Sequence, residues 1–147
     1  MRIKVSDLIS LLRDEGIKVT PQRLAICAEV FSRADHPTVE LVYSSLKGKY
    51  PTIGLATIYK TLQLLKEKGY LQEVGTIAGS IRYDPNHSLH VNLVCTTCGD
   101  ITDAAPESLP QTWSALISEL GVETQGQLIN VYYTCKKCAK TGNTPKT

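Results

Sequence analysis

Apolar residues recur at helical spacing through the first half of the chain and predict four helices. The first stripe stops at Gly16, the second follows the Thr20-Pro21 pair, the third follows Thr38, and the fourth occupies about 54–68. Threonine accepts hydrogen bonds from the first N–H groups of a helix, and proline suits the first helical position. These residues therefore predict where the helices begin and end.

After Gly69 the pattern changes to short extended segments. LQEV, a turn around Ala78-Gly79 and SIRYD predict a two-stranded hairpin. Helices followed by a hairpin are the order of a winged helix-turn-helix, whose last helix before the hairpin enters the major groove of DNA. Residues 1–84 are therefore predicted to form a winged-helix DNA-binding domain.

The second half has a different organisation. The breakers Pro85 and Asn86 predict a hinge over 85–88, and LHVNLVC, DITDA and QLINVYYTC predict three strands. A helix between the last two strands is expected to pack through Trp113, Leu116, Ile117 and Leu120. We expect an α+β protein with an α/β domain over 89–139 and a disordered tail over 140–147. A core this small with unpaired sheet edges favours a homodimer through this half.

Composition and charge narrow the function. The apolar fraction of 42% in 147 residues is enough for packed cores. Residues 1–84 hold 12 Lys and Arg against 9 Asp and Glu, whereas 85–147 hold 4 against 5. This mild asymmetry suits nucleic-acid contact by the first half. The acidic residues of MRIKVSDLISLLRDEG exclude a signal peptide, and no apolar run is long enough for a membrane span, so a cytoplasmic protein is expected.

Four of the five cysteines form two C-x-x-C pairs, Cys95 with Cys98 and Cys135 with Cys138. Two such turns complete a tetrahedral four-thiolate zinc shell, which has no open position and is therefore structural. The gap of 36 residues between the pairs must hold a folded segment. Disulfides or redox-active pairs are the alternative, but an intracellular chain keeps thiols reduced and no βαβ pattern is visible.

Several motifs in order carry a family resemblance. They are GIKVTPQR at 16–23, HPT at 36–38, YPTIGLATIYKTL at 50–62, RYD at 82–84, the 90–98 segment and the final C-x-x-C. The chain resembles the ferric uptake regulator (Fur) superfamily of metal-dependent repressors over about 10–138, and its peroxide-sensing (PerR-like) branch most. The resemblance implies a winged-helix domain, a hinge and a dimerisation domain with structural zinc.

The resemblance also implies which residues contact DNA. The recognition helix carries Ala56, Thr57, Tyr59 and Lys60, and phosphate contacts fall to Lys18 and Arg23. Tyr59 presents its ring to thymine methyl groups, whereas Lys60 reaches a base edge or a phosphate. A packed role for Tyr59 remains the alternative.

A regulatory metal site is implied at His36, Asp84, His90, Asn92 and Asp103. The family usually has histidine at the position of Asn92, whose neutral amide oxygen is a harder and weaker ligand. This set favours Fe2+ or Mn2+, although Zn2+ can take a four-coordinate subset. Asp103 indicates the peroxide-sensing branch, in which bound Fe2+ reacts with peroxide and a ligand histidine is oxidised. Ligands from both halves would link metal occupancy to DNA affinity.

The sequence thus predicts a dimeric, metal-dependent repressor that binds double-stranded operator DNA and responds to peroxide or to iron and manganese availability. The alternatives are a zinc-stabilised protein-interaction module and a zinc-responsive regulator. A zinc hydrolase is disfavoured because no nucleophile–base motif accompanies the candidate ligands, and the chain is therefore expected not to be an enzyme.

Overall fold

The computed structural model describes residues 5–75 and 79–142. The chain divides into two compact units, of which the first contains 5–75 and Ser80–Asn86 and the second contains 87–142. Within these described ranges, no helix has both the length and the apolarity needed to cross a bilayer.

Four helices build the first unit, as the apolar spacing predicts. They are α1 (Val5–Asp14), α2 (Pro21–Ser32), α3 (Val39–Leu46) and α4 (Leu55–Glu67). Thr20 accepts a hydrogen bond from the backbone N–H of Arg23 (3.2 Å) and Thr38 accepts one from Leu41 (3.3 Å). Both threonines therefore cap their helices as expected. The chain leaves α1 through Gly16, whose φ of +69° favours glycine.

The hairpin of the first unit consists of β1 (Gln72–Val74) and β2 (Arg82–Asp84), paired antiparallel with Glu73 opposite Tyr83. Gly79 of the predicted turn has a φ of +76°, whereas Ala78 lies outside the described residues. The core beneath the helices and the hairpin is extensive. It includes Leu8, Leu12, Ile26, Cys27, Val30, Val42, Ile58, Leu62, Leu65 and Tyr83.

The second unit is a three-stranded sheet with two helices. Its elements are β3 (Val91–Cys95), β4 (Ile101–Ala104), α5 (Leu109–Leu120), β5 (Asn130–Tyr133) and α6 (Lys136–Lys140). The strand order is β4-β3-β5, with β4 antiparallel and β5 parallel to β3. Helix α6 is not predicted from the sequence, because five residues are too few to show a helical period. Lys140, where the predicted tail begins, ends α6, and 143–147 lie outside the described residues.

Apolar burial is sparse in the second unit. Among its described residues, the buried apolar side chains are Val94, Cys95 and Ile101. Helix α5 has no buried residue, although its sequence predicts a packed face. Large apolar side chains instead lie exposed, namely Leu116, Leu120, Val122, Leu128, Val131, Tyr132 and Tyr133. The sheet and α5 of a single chain therefore leave much apolar surface in water.

Candidate metal centres and nucleic-acid interface

The four cysteines of the C-x-x-C pairs converge in the second unit. Their sulfur atoms all lie within 4.8 Å of one another, and the Sγ atoms of Cys98 and Cys135 are 3.9 Å apart. Four sulfurs bound to zinc at about 2.3 Å in a tetrahedron are about 3.8 Å apart. The thiols therefore fit a zinc ion with little movement. They also lie too far apart to be disulfides, and all four are free thiols.

The sheet register brings the two pairs together. Cys95 ends β3 and stands opposite Tyr133 of β5, two residues before Cys135. The backbone N–H of Thr96 donates to the carbonyl of Tyr133 (2.8 Å), and the N–H of Cys135 donates to the Sγ of Cys95 (3.3 Å). Gly99 closes the first turn with a φ of +75°, its N–H donating to the Cys95 carbonyl at 2.9 Å. Parallel pairing thus aligns two turns that are distant in sequence.

The electrostatics of the four-thiol cluster favour binding of a cation. Burial raises the pKa of the Cys95 thiol, but backbone N–H groups of Cys135, Cys98 and Thr97 outweigh burial and lower it to about 6. The hydrogen bond to Cys135, with burial, raises the pKa of Cys138 to about 12. Without a cation, the negative charge of one thiolate therefore opposes ionisation of the neighbouring thiols. A divalent ion supplies the charge that allows all four to ionise.

Three of the implied regulatory residues lie in the second unit. Asn92 and Asp103 are directly opposite each other on β3 and β4, and His90 precedes β3. The Nδ1 atom of His90 lies 2.7 Å from the carbonyl oxygen of Ser88. A carbonyl only accepts, so Nδ1 donates its proton, and the lone pair of the neutral ring is on Nε2. That Nε2 atom is 3.9 Å from Oδ1 of Asp103. The second unit therefore orients an imidazole nitrogen and a carboxylate toward the same point.

The other two implied ligands, His36 and Asp84, form a pair within the first unit. The Nε2 atom of His36 is 3.6 Å from Oδ2 of Asp84, and both side chains are almost fully buried. The backbone N–H of Asn86 donates to Oδ1 of Asp84 (2.7 Å), which fixes the carboxylate. A buried carboxylate beside a buried imidazole is the arrangement expected of metal ligands or of an ion pair.

Hydrogen bonds from strand β2 hold the backbone around His36; we call this pair of bonds the clamp. The φ of His36 is +49°, a left-handed conformation that is uncommon outside glycine. The Nη1 atom of Arg82 donates to the His36 carbonyl (3.2 Å), and the N–H of Tyr83 donates to the Pro37 carbonyl (3.1 Å). These bonds hold a backbone conformation that costs on the order of 1 kcal/mol or more. Sequence reasoning missed the role of Arg82, and only its place in RYD beside Asp84 could have indicated it.

The implied base-contacting residues share the exposed side of α4. Ala56, Tyr59 and Lys60 are exposed and Thr57 is half-buried, whereas Ile58 and Leu62 face the core. Tyr59 is 50% exposed, which excludes the alternative of a packed aromatic within this chain. The helix thus presents one polar and aromatic face without disturbing its buried face.

The two implied phosphate contacts lie next to each other before and within α2. Lys18 is exposed, and the Nη1 atom of Arg23 donates a hydrogen bond to the backbone carbonyl of Lys18 (2.8 Å). One donor of the guanidinium is thus used internally, while the group offers further N–H donors to a phosphate. Lys66 and Lys68 instead pair with Glu73 (2.9 Å) and Glu15 (3.0 Å).

An exposed helix face in a winged-helix unit, together with four converging thiols in a β-sheet unit, is typical of a metal-binding DNA-binding regulator. The model of the ferric uptake regulator family matches residues 14–132. The chain belongs to this family of metal-dependent transcriptional repressors, which are regulators and not enzymes.

Relatives of this chain are similar over nearly its whole length. It is 31% identical over 140 residues to the peroxide-responsive repressor PerR of Staphylococcus epidermidis, covering 95% of this chain and 93% of that protein. It is 29% identical over 140 residues to the peroxide operon regulator of Bacillus subtilis, covering 95% and 97%. The crystal structure of the Campylobacter jejuni peroxide stress regulator superposes with a TM-score of 0.70 at 29% identity, covering 92% and 99%.

Proposed function

We propose that this protein is a homodimeric, metal-dependent repressor that binds double-stranded operator DNA and responds to peroxide or to iron and manganese availability. The observation that carries the proposal is the near-full-length similarity to two peroxide-responsive regulators. The family model matches residues 14–132, a range that contains α4 and both histidine–carboxylate pairs.

DNA binding is assigned to α4 and the start of α2. Tyr59 supplies an apolar ring for thymine methyl groups and Lys60 a base-edge or phosphate contact, with Ala56 and Thr57 allowing close approach. Lys18 and Arg23 hold phosphates and set the orientation. The pairing of Lys66 and Lys68 with carboxylates leaves them outside this surface.

Dimerisation is assigned to the second unit. Strand β5 is an edge of the sheet, and its Val131, Tyr132 and Tyr133 are exposed. An exposed apolar edge strand beside an exposed apolar helix is stable in water when a second copy covers it. Two recognition helices in one dimer then match a two-fold operator.

The metals divide into two roles. Cys95, Cys98, Cys135 and Cys138 hold structural zinc, and His36, Asp84, His90, Asn92 and Asp103 hold the regulatory ion. Oxygen-rich ligands with two imidazoles suit Fe2+ or Mn2+. Because ligands come from both units, occupancy and DNA affinity are linked.

Peroxide response depends on the regulatory histidines. Fe2+ held by these ligands would catalyse the transfer of one peroxide oxygen to a ligand imidazole, which would supply both electrons, while the other oxygen would leave as water. His36 and His90 are the imidazoles at hand for oxidation, and a modified ring binds the ion less well. Peroxide treatment of the iron-loaded dimer should therefore add 16 Da to a peptide that contains one of them. Unmodified histidines would leave a regulator that reads metal occupancy alone.

Fluorescence anisotropy with operator duplex tests the proposal. We expect tight binding with Mn2+ or Fe2+ and loss of binding after chelation of the exchangeable ion; equal affinity in both states would refute metal control. Activation by Zn2+ alone would instead identify the zinc-responsive regulator. Combined Tyr59→Ala and Lys60→Ala changes should abolish specific binding, and Lys68→Ala is the matched control. Lys60→Ala alone should reduce the salt-dependence slope by about 1.

A further inference from the structure

A row of three polar residues crosses the sheet of the second unit. Asn92 on the central strand β3 stands opposite Asp103 of β4 on one side and opposite Asn130 of β5 on the other. Directly paired residues point to the same face of a sheet. Neighbouring strands are about 4.8 Å apart, so an ion above Asn92 lies within reach of both flanking side chains. His90, two residues before Asn92, belongs to the same face.

The buried side-chain oxygens of the two asparagines lack the hydrogen-bond partners that buried polar atoms require. Asn92 is 1% exposed, and neither its Oδ1 nor its Nδ2 has a hydrogen-bond partner among the described residues. The Oδ1 atom of Asn130 is also buried without a partner in that part of the chain. Leaving one buried polar group unsatisfied costs about 1–3 kcal/mol. Two adjacent amides in this state on one row indicate that the site is built for a ligand.

Nearby hydrogen-bonding groups among the described residues are already engaged elsewhere. The backbone N–H of Asn92 already donates to the Ile129 carbonyl (2.8 Å), and Nδ1 of His90 is bonded to the Ser88 carbonyl. The row brings side-chain oxygens of two amides and one carboxylate close to an imidazole nitrogen. Such a donor set attracts a hard divalent cation.

We propose that Asn130 is a further ligand of the regulatory ion, supplying an amide oxygen beside Asn92 and favouring Mn2+ or Fe2+ over Zn2+. This inference rests on the proposed regulatory site and adds to it a residue from β5. Two hard amide oxygens take the place of one imidazole. They stabilise an ion of coordination number six, whereas four-coordinate zinc gains little from them.

Affinities of Mn2+ and Zn2+ can be measured by competition with a fluorescent chelator on the zinc-stabilised dimer stripped of exchangeable metal. Asn130→Ala should weaken Mn2+ binding at least about tenfold, since loss of even an outer-shell partner of a metal ligand costs about that much. It should change Zn2+ binding less than about twofold, because four-coordinate zinc does not need this oxygen. Asn130→Asp, which retains an oxygen ligand, should restore Mn2+ binding. Thr102→Ala, an exposed position on β4 whose side chain faces away from the row, is the matched control.

Thermal unfolding of the stripped dimer separates a ligand from a structural residue. A buried amide oxygen without a partner does not stabilise the metal-free protein, so Asn130→Ala should leave its melting temperature unchanged or raise it. Wild-type Mn2+ affinity in Asn130→Ala, or a lowered melting temperature of its stripped form, overturns the inference. The His90→Ala variant distinguishes a wrong assignment of Asn130 from a wrong assignment of the whole regulatory site. If it abolishes Mn2+ binding while Asn130→Ala does not weaken it, only Asn130 is misassigned, whereas wild-type binding in His90→Ala refutes the regulatory site itself.

Discussion

Replacing Cys135 by serine should unfold the second unit while the first unit stays folded. Cys135 contributes one of four converging thiols, and its backbone N–H also donates to the Cys95 sulfur. Serine has a hydroxyl that remains protonated at neutral pH and therefore binds zinc poorly. Loss of one ligand opens the shell and lets the ion exchange with solvent.

The magnitude follows from what each unit buries. Apart from Cys95 of the thiol cluster, the described part of the second unit buries the apolar side chains Val94 and Ile101. Complete burial of such aliphatic side chains gives about 1.5–3 kcal/mol each. Structural zinc contributes on the order of 10–16 kcal/mol of apparent binding free energy. The metal therefore outweighs the apolar core of this unit. The first unit holds an extensive buried cluster and no cysteine of the quartet, so it should not depend on zinc.

Amide NMR spectra together with metal analysis measure the outcome. The variant should lose zinc, about one equivalent per protomer, and the dispersed resonances of 87–142, while resonances of the first unit persist. Cys27→Ala is the matched control, because Cys27 is buried in the first unit and should leave zinc content unchanged. A dispersed spectrum for the second unit in metal-free Cys135→Ser protein would show that the sheet is stable without the ion, and the reasoning would be refuted.

Three further changes test the first unit. Arg82→Met should loosen the His36 backbone and weaken Mn2+ binding about tenfold by chelator competition, with partial recovery in Arg82→Lys; unchanged affinity contradicts the clamp. Thr20→Ala should lower the free energy of unfolding in urea by about 1 kcal/mol, and Thr20→Ser should retain it. Burial raises the pKa of Cys27 from 9.0 to about 11. The unfolded thiol therefore ionises first, and stability should fall by about 2–3 kcal/mol as pH rises from 9 to 11. Cys27→Ala should remove that component, so an equal slope in both proteins argues against it.

Local signals were sufficient for most of the fold. Thr20 and Thr38 could be identified as caps because a side-chain oxygen three residues before an N–H is a short-range property. The face of α4 followed from its period, since the buried Ile58 and Leu62 recur at helical spacing. How deeply α5 packs could not be predicted, because apolar periodicity shows which face avoids water and not which surface covers it. Trp113 and Ile117 are half-buried, whereas Leu116 and Leu120 are exposed.

Less of the candidate sites than of the fold could be predicted from the sequence alone. C-x-x-C spacing predicts the four-thiol cluster because the geometry of each turn is local. The orientation of His90 by the Ser88 carbonyl and the clamp of Arg82 on His36 depend on backbone atoms, which carry no residue signature. The role of Asn130 could not be predicted from the sequence for a different reason. Only the parallel register of β5 with β3 places it beside Asn92, 38 positions earlier in the chain.

The same register joins the two metal roles of the second unit. One end of the β3–β5 ladder pairs Cys95 with Tyr133 and so aligns the zinc thiols, while the other end pairs Asn92 with Asn130. A slip of one residue would separate the thiols and turn one of the amides to the opposite face. Zinc bound by the four cysteines would therefore fix the strand alignment on which the proposed amide row depends. We therefore expect an order of metal binding. Zinc should occupy the cysteines before the proposed regulatory ligands of this unit reach their geometry, so protein stripped of both ions should recover Mn2+ affinity only after zinc is restored.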